Sequence, residues 1–470
     1  MSDVTVPIVF YGDDFTGTTA LGEALAESGT PTMIFTEVPD ASFVKEKFPG
    51  VKAVGVAGVS RSIKTPDLEL EVASVFKKLS EYNALLFLYK VCSTFDSSPD
   101  LGSIGRAMEI GKNVFNSRFI PVLPAAPKFG RYTLFGNHFA ALGAGEVFRL
   151  DRHPSISKHP STPMTEADLL QHLAKQTKLS QALIDLRTVN KGADAILTSI
   201  EKLREEKVDY GVIDCLRDED IISGGNAIIE YARKYGQTFT VCSQELGYGI
   251  SDALINKGII TSSQHDNTIT EQAKGPVLVL SGSCGVMTGK QIEHARSNGF
   301  SDLSINPADI LNPKNNESYR ETLTEQALNL LDRGSSVVVH SACGPEDPRR
   351  EQMTNAVDQL GIDMPQANHT LGQALGNIAL DVIKKGKLQR LIVAGGDTSG
   401  EVQETLAIKA LQVVKPIGIA APLCYIYSGI DSVNGVEIAM KGGQAGAESY
   451  FTDALNLKTA DFKDAALGSL

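Results

Sequence analysis

The sequence predicts an α/β fold: two tandem α/β domains with largely parallel sheets facing a shared cleft. Three observations predict it. Short apolar runs, Gly/Ser/Asp turns and helix-period stretches alternate along the 470-residue chain. Most apolar runs are continuous, as suits strands buried on both faces of a parallel sheet. The length exceeds the roughly 150 residues of one domain, and a polar stretch over 264–274, ending in Gly275-Pro276, divides it.

In the first series, strands are expected over 6–11, 31–36, 53–57, 85–89, 119–123, 210–214 and 239–242. A helix is expected over 18–28, stopped by Gly29, and another over 165–177, introduced by Pro163 and Thr165. The second series predicts strands over 277–280, 337–340, 391–394 and 417–420, with a helix running from the glycine turn near residue 396 through Leu411. The expected domains are residues 1–265 and 275–470.

Composition narrows the function. With 42% hydrophobic and 21% charged residues, the chain can bury a large core, which disfavours disorder. No apolar run approaches the ~20 residues of a membrane span, and no basic segment precedes an apolar one at the N-terminus. Six scattered cysteines without CxxC spacing read as reduced thiols, which predicts a cytoplasmic protein and neither a disulfide framework nor a zinc site. A net charge of −12 repels nucleic acid and anionic membranes. The expected partners are small molecules, and homo-oligomerisation stays open.

In α/β sheets ligands bind beyond the carboxyl ends of the strands, so the residues following each strand matter most. The first strand runs into Gly12-Asp13-Asp14-Phe15-Thr16-Gly17, the third into Ser60-Arg61-Ser62 and the fourth into Lys90-Val91-Cys92-Ser93-Thr94. If these strands are parallel neighbours, two carboxylates, two cations and several hydroxyls converge. That inventory fits a polyhydroxylated acid, whose carboxylate pairs with cations and whose hydroxyl gives a proton to a carboxylate. A helix cap alone needs only one such aspartate.

In the second series, Ser281-Gly282-Ser283-Cys284-Gly285 and the turn Gly395-Gly396-Asp397-Thr398-Ser399-Gly400 each follow a strand, and Lys441-Gly442-Gly443-Gln444-Ala445-Gly446 is a third small-residue loop. Glycines admit phosphate oxygens to backbone N–H groups, and a helix N-terminus adds a favourable dipole. Three such loops suggest a nucleotide site. The stretch 282–290 lacks Walker spacing, and no GxGxxG marks a dinucleotide-dependent oxidoreductase. A non-catalytic sensor of acid sugars is the other rival. His138 and His340 read as structural, and Asp347, Arg349 and Arg350 as a solvated charge cluster.

The Asp13–Gly17 turn, the Gly395–Gly400 turn and the Lys441–Gly443 loop, in this order and over nearly the whole chain, resemble the four-carbon acid sugar kinase family. The resemblance implies ATP-dependent phosphorylation of an acid sugar, with an N-terminal sugar domain and a C-terminal nucleotide domain. It implies that Asp13, Asp14, Arg61, Lys90, Ser93 and Thr94, beside Ser60, line the sugar pocket. Ser283, Gly395, Gly396, Asp397, Thr398, Ser399 and Gly443 are implied to line the ATP site. The family's usual Lys-Ile-Asp-Ser-Thr-Leu-Arg-Gly-Asn reads here as 90–98, KVCSTFDSS. Cys92 replaces the acid, and the arginine slot becomes Ser97 or a neighbour. That departure turns the expectation from plain threonate or erythronate towards 3-oxo-isoapionate, then 3-oxo-tetronate. The expected mechanism makes Asp13 or Asp14 the base and uses Arg61 and Lys90 as anchors. Mg²⁺ bridges the ATP phosphates, with Asp397 a contact through water.

Overall fold

The continuous apolar runs become buried strands. The computed structural model describes residues 6–142, 145–159, 161–262, 272–386, 388–418 and 421–459. The chain divides into two compact units between Gln264 and His265. Most of the polar stretch over 264–274 lies outside the described residues.

The first unit holds a parallel sheet of eight strands: β1 (Ile8–Gly12), β2 (Thr32–Phe35), β3 (Ala53–Ala57), β4 (Leu86–Lys90), β5 (Ile120–Leu123), and, after a separate antiparallel β-meander of β6 (Arg131–Leu134), β7 (Asn137–Leu142) and β8 (Glu146–Arg149), β9 (Gln181–Ile184), β10 (Tyr210–Ile213) and β11 (Thr238–Cys242). Their spatial order is β2-β3-β1-β4-β11-β5-β10-β9. The chain steps from β1 out to β2, returns through β3 beside β1, and restarts with β4 on the other side, so the β1/β4 junction is a topological switch point. Beneath it, Tyr11, Phe76, Phe87, Tyr89, Phe115 and Phe239 form one aromatic cluster. Phe87 and Phe115 sit 4.3 Å apart between centroids, and Phe87 stacks on Phe239 at 5.2 Å. Burial of each ring contributes on the order of 2–3 kcal/mol, so the strand ends stand on a stiff base.

The second unit repeats the scheme with β12 (Gln272–Ala273), β13 (Leu278–Ser281), β14 (Ser301–Ser304), β15 (Val337–His340), β16 (Arg390–Ala394), β17 (Ile408–Gly418), β18 (Ala421–Ser428), β19 (Glu437–Lys441) and β20 (Lys458–Thr459). The order is β14-β15-β13-β16-β19-β18-β17, with β12 and β20 pairing separately and antiparallel. The switch point lies between β13 and β16. The first five strands are parallel; β18 is antiparallel to both neighbours. No helix among the described residues is long and apolar enough to cross a membrane.

Three expectations need correction. The helix after the glycine turn spans Gly396–Thr405, not a run through Leu411, because residues from Ile408 form β17. Its apolar residues alternate, pairing with β18. The strand over 417–420 is only the tail of β17, and residues 419–420 lie outside the described residues. The helix placed over 165–177 spans Leu169–Ala174, because Asp168 caps it by accepting from the Leu170 and Gln171 N–H groups.

Candidate functional site

Register brings the first unit's loops together. Gly12 sits opposite Ala57 on β3 and Lys90 on β4, and Lys90 sits opposite Cys242 on β11. The Asp13 N–H donates to the Lys90 carbonyl at 2.9 Å, and the Arg61 N–H to the Asp13 carbonyl at 3.1 Å. The carboxylates, Arg61 and Lys90 therefore occupy one place.

Asp14 caps the Phe15–Glu27 helix; its Oδ1 accepts from the Gly17 N–H at 2.9 Å. Arg61 binds both carboxylates. Nε and Nη2 donate to Asp13 at 3.1 and 2.7 Å, and Nη1 and Nη2 to Asp14 at 3.2 and 2.9 Å. Lys90 Nζ lies 4.0 Å from Asp14 Oδ1. A Cβ on Gly17 would fall 2.1 Å from that Nζ, so only glycine leaves the lysine its place. Burial lifts the Asp13 carboxyl above its ordinary range despite Arg61, and the Asp14 charge adds to the rise. Burial pushes Asp14 up as well, but Lys90, Arg61 and the Gly17 N–H outweigh it and hold the carboxyl below the usual range. The neighbours thus differ: Asp14 is a solvent-reaching carboxylate with its side chain 31% exposed, Asp13 a buried one at 3%.

The other called residues divide. Ser60 is fully buried, and its hydroxyl hydrogen-bonds with Tyr89 Oη at 3.1 Å. Thr94 Oγ1 donates to Asp96 Oδ1 at 2.7 Å and lies 2.9 Å from Cys92 Sγ. Ser93 is half-buried, and its carbonyl accepts from His138 Nε2 at 2.8 Å. That bond leaves His138 Nδ1 to accept from the Thr133 hydroxyl at 2.8 Å. Burial holds this imidazole down at about 4, so it is neutral. His138 sits in β7, fully buried between these two partners.

In the second unit the three small-residue loops also meet. The Gly395 N–H donates to the Lys441 carbonyl at 2.9 Å, Thr288 Oγ1 to the Gly443 carbonyl at 2.7 Å, and the Gly285 N–H to Ser283 Oγ at 3.1 Å. A Cβ on Gly285 would stand 2.7 Å from the Gly443 oxygen. Gly395 has φ +123°, which side chains rarely adopt. Thr398 and Ser399 are buried, with Ser399 Oγ donating to the Gly395 carbonyl at 2.7 Å; Gly396 and Asp397 are exposed. The helices Val286–Ser297 and Gly396–Thr405 both begin here. Beside the loops, a cavity of about 610 Å³ is lined by apolar residues such as Pro307, Met353 and Leu371 and by polar ones such as Arg349, Thr354 and Asn368. Helix N-termini on one side and mixed apolar and polar walls on the other match a phosphate chain and a nucleoside.

The family model of a sugar-binding N-terminal domain matches residues 8–249, and that of a nucleotide-binding C-terminal domain matches residues 278–451. The chain belongs to the four-carbon acid sugar kinase family. It is 37% identical to a 3-oxo-isoapionate kinase of Paraburkholderia graminis, over 94% of this chain and 93% of that one. It is 29% identical to a 3-oxo-tetronate kinase of Methylobacterium radiotolerans, over 95% and 97% of the two chains. A crystal structure of a Haemophilus influenzae protein, 25% identical, superposes with a TM-score of 0.74 over 95% of this chain and 98% of that one. A Salmonella typhimurium protein, 24% identical, shares the fold with a TM-score of 0.77 over the same shares. The kinase is accordingly a phosphotransferase with a sugar-binding and a nucleotide-binding unit.

Two features of this kinase escaped the sequence reading. Lys441 was noticed only as the start of a loop; its side chain is 1% exposed, its Nζ donates to Thr288 Oγ1 at 3.2 Å, and burial holds it down at about 8. Like Lys90, it is a cation ending a buried strand, and that signal was legible. Of the Asp347 cluster, Arg350 is exposed as expected, but Asp347 and Arg349 are not solvated. Arg349 clamps Asp347 through Nε at 2.9 Å and Nη2 at 2.5 Å, donates to the His340 carbonyl at 3.3 Å, and is largely buried with its partner. The charges fold back onto the end of β15, with Arg349 reaching His340 nine residues earlier, and a charge run in the sequence gives no hint of such a return.

Proposed function

We propose that the kinase transfers the γ-phosphate of ATP to a hydroxyl of an oxidised acid sugar, with 3-oxo-isoapionate the leading candidate and 3-oxo-tetronate the next. The observation that carries this reading is the pair of switch points with complementary chemistry. One gathers Asp13, Asp14, Arg61 and Lys90; the other gathers glycine loops, two helix N-termini and a cavity with mixed apolar and polar walls. The 37% identity to a 3-oxo-isoapionate kinase ranks the substrates.

Asp14 is the base. It reaches solvent where Asp13 does not, and phosphoryl transfer asks little basicity because its transition state is loose. Asp13 holds Arg61 in place. Ser93 and Thr94 line the sugar side; Ser60, turned to Tyr89, supports Arg61 through the backbone. Ser283, the Gly395–Ser399 turn and Gly443 receive the phosphates, and Lys441 lies beneath them as a buried cation. Asp397 is exposed and has no hydrogen-bond or ion-pair partner among the described residues. No cluster of three His, Cys, Asp or Glu suited to a metal occurs among them. A single exposed carboxylate such as Asp397 fits Mg²⁺, which takes one or two carboxylates with phosphates and waters. Mg²⁺ supplies charge neutralisation on the phosphates when bound, and Asp397 would hold it through water.

ADP release, measured with Mg-ATP over 3-oxo-isoapionate, 3-oxo-tetronate, threonate and erythronate, tests the reading. Turnover is expected to be highest for an oxidised acid. Ligand-induced stabilisation by an acid sugar without ADP release would make the chain a sensor instead.

A further inference from the structure

Resting on that reading, we propose that the substrate's carboxylate is gripped by Arg131, and that Arg61, the obvious candidate, is not available for it. A guanidinium offers two faces for bidentate binding of a carboxylate. In Arg61 both are taken: Nε with Nη2 faces Asp13, and Nη1 with Nη2 faces Asp14. Lys90 is wedged against Gly17 and beside Asp14, with its side chain 4% exposed. Two cations facing two carboxylates leave little attraction for a third anion.

Arg131 is placed differently. It opens β6, and its hairpin is tied to the β4 loop through Thr133, His138 and the Ser93 carbonyl, at 2.8 Å for each link. Its Nη1 donates to the Phe129 carbonyl at 2.7 Å and more loosely, at 3.4 Å, to those of Gly130 and Ala141. Its Nε is buried and has no partner. It forms no ion pair among the described residues. A half-buried guanidinium with an orphan N–H and no carboxylate in direct ion-pair contact is costly. Burial pulls its proton affinity down, and the groups that oppose this are Cys92 and Asp96 on the β4 loop, followed by Tyr132. The β4 loop is where the sugar is expected. A carboxylate seated there supplies the missing acceptor and a direct ion pair together.

The test uses the acid substrate found by ADP release and its neutral carboxamide. In Arg131→Gln the KM for the acid should rise roughly 10- to 100-fold, the range for a charge-assisted hydrogen bond. The ATP KM should stay within about twofold, and the preference for acid over carboxamide should fall by the same factor as the acid kcat/KM. A variant damaged only in folding loses activity on both substrates alike and keeps the preference, which overturns the assignment. Should Arg131→Gln fail to fold, Arg131→Lys decides: it should keep the preference for the acid yet raise its KM about tenfold through loss of the bidentate grip. An unchanged acid KM overturns the assignment. If the wild type releases ADP with no acid sugar, the underlying kinase reading falls, and the anchor with it. If the wild type is active and only the Arg131 result is contrary, the anchor alone falls.

Discussion

At the scale of single residues, the two neighbouring aspartates separate cleanly. Asp14 both caps a helix and faces solvent, and asparagine caps almost as well as aspartate. Asp14→Asn should therefore fold normally while kcat falls about 10²- to 10⁴-fold, the usual worth of a general base; retention of the wild-type kcat would remove Asp14 from that role. Lys441 gives a second prediction. Its ammonium, held at about 8 by burial, is the form that attracts phosphate. As pH rises through 8 the empty site loses that charge, so the ATP KM should climb by up to about tenfold per pH unit between 8 and 9. Lys441→Met should show a higher ATP KM at pH 7 and a flat profile to pH 9. A rise that persists in the variant would place the titrating group elsewhere.

At the scale of elements, what the sequence made legible were the strand ends. Gly12, Ala57, Lys90 and Ser281 close continuous apolar runs, and burial on both faces leaves such runs little freedom to be anything but parallel strands. The loops after them were legible for the same reason, because charge or glycine next to such a run stands out. What was hidden depends on long-range pairing. Residues 408–418 follow a helix and contain alternating apolar positions, and only pairing with β18 makes them a strand. The β6–β8 meander is half-exposed and polar, so Arg131 carries no local mark of function. Gly396 tests the loop reading well. A Cβ there meets nothing within 4 Å, and the residue is exposed at a helix start. Gly396→Val should melt within a few degrees of wild type yet raise the ATP KM at least about tenfold, since only a bound phosphate competes for that space. An unchanged ATP KM with a normal melt would move the phosphates off this turn.

At the scale of the whole molecule, buried groups of opposite sign set the response to acid. Burial holds His138 and His172 at about 4 and lowers His153, so each binds its proton earlier in the unfolded chain. In the interval below 6.5 the unfolded state then carries more protons, and stability falls on acidification. Asp214, lifted to about 6, Glu245, lifted to about 7, and Asp13, also raised, do the reverse: the folded state holds the extra protons, and acidification stabilises it. His138 and His172 oppose Asp214 and Glu245, so the wild-type melting temperature should change little between pH 6 and 5. Removing one member exposes the balance. Glu245 is 2% exposed and accepts from the Lys128 and Phe129 N–H groups, each at 3.2 Å, contacts that a glutamine oxygen can keep in part. Glu245→Gln mimics the protonated acid and abolishes its titration. Relative to wild type, the variant should lose about 1.4 kcal/mol of stability per pH unit on going from pH 6 to 5, one proton's worth. Urea unfolding of both proteins at the two pH values reads the difference directly. Parallel stability curves would mean that Glu245 is already ionised in the folded kinase, and that the two backbone N–H groups outweigh its burial.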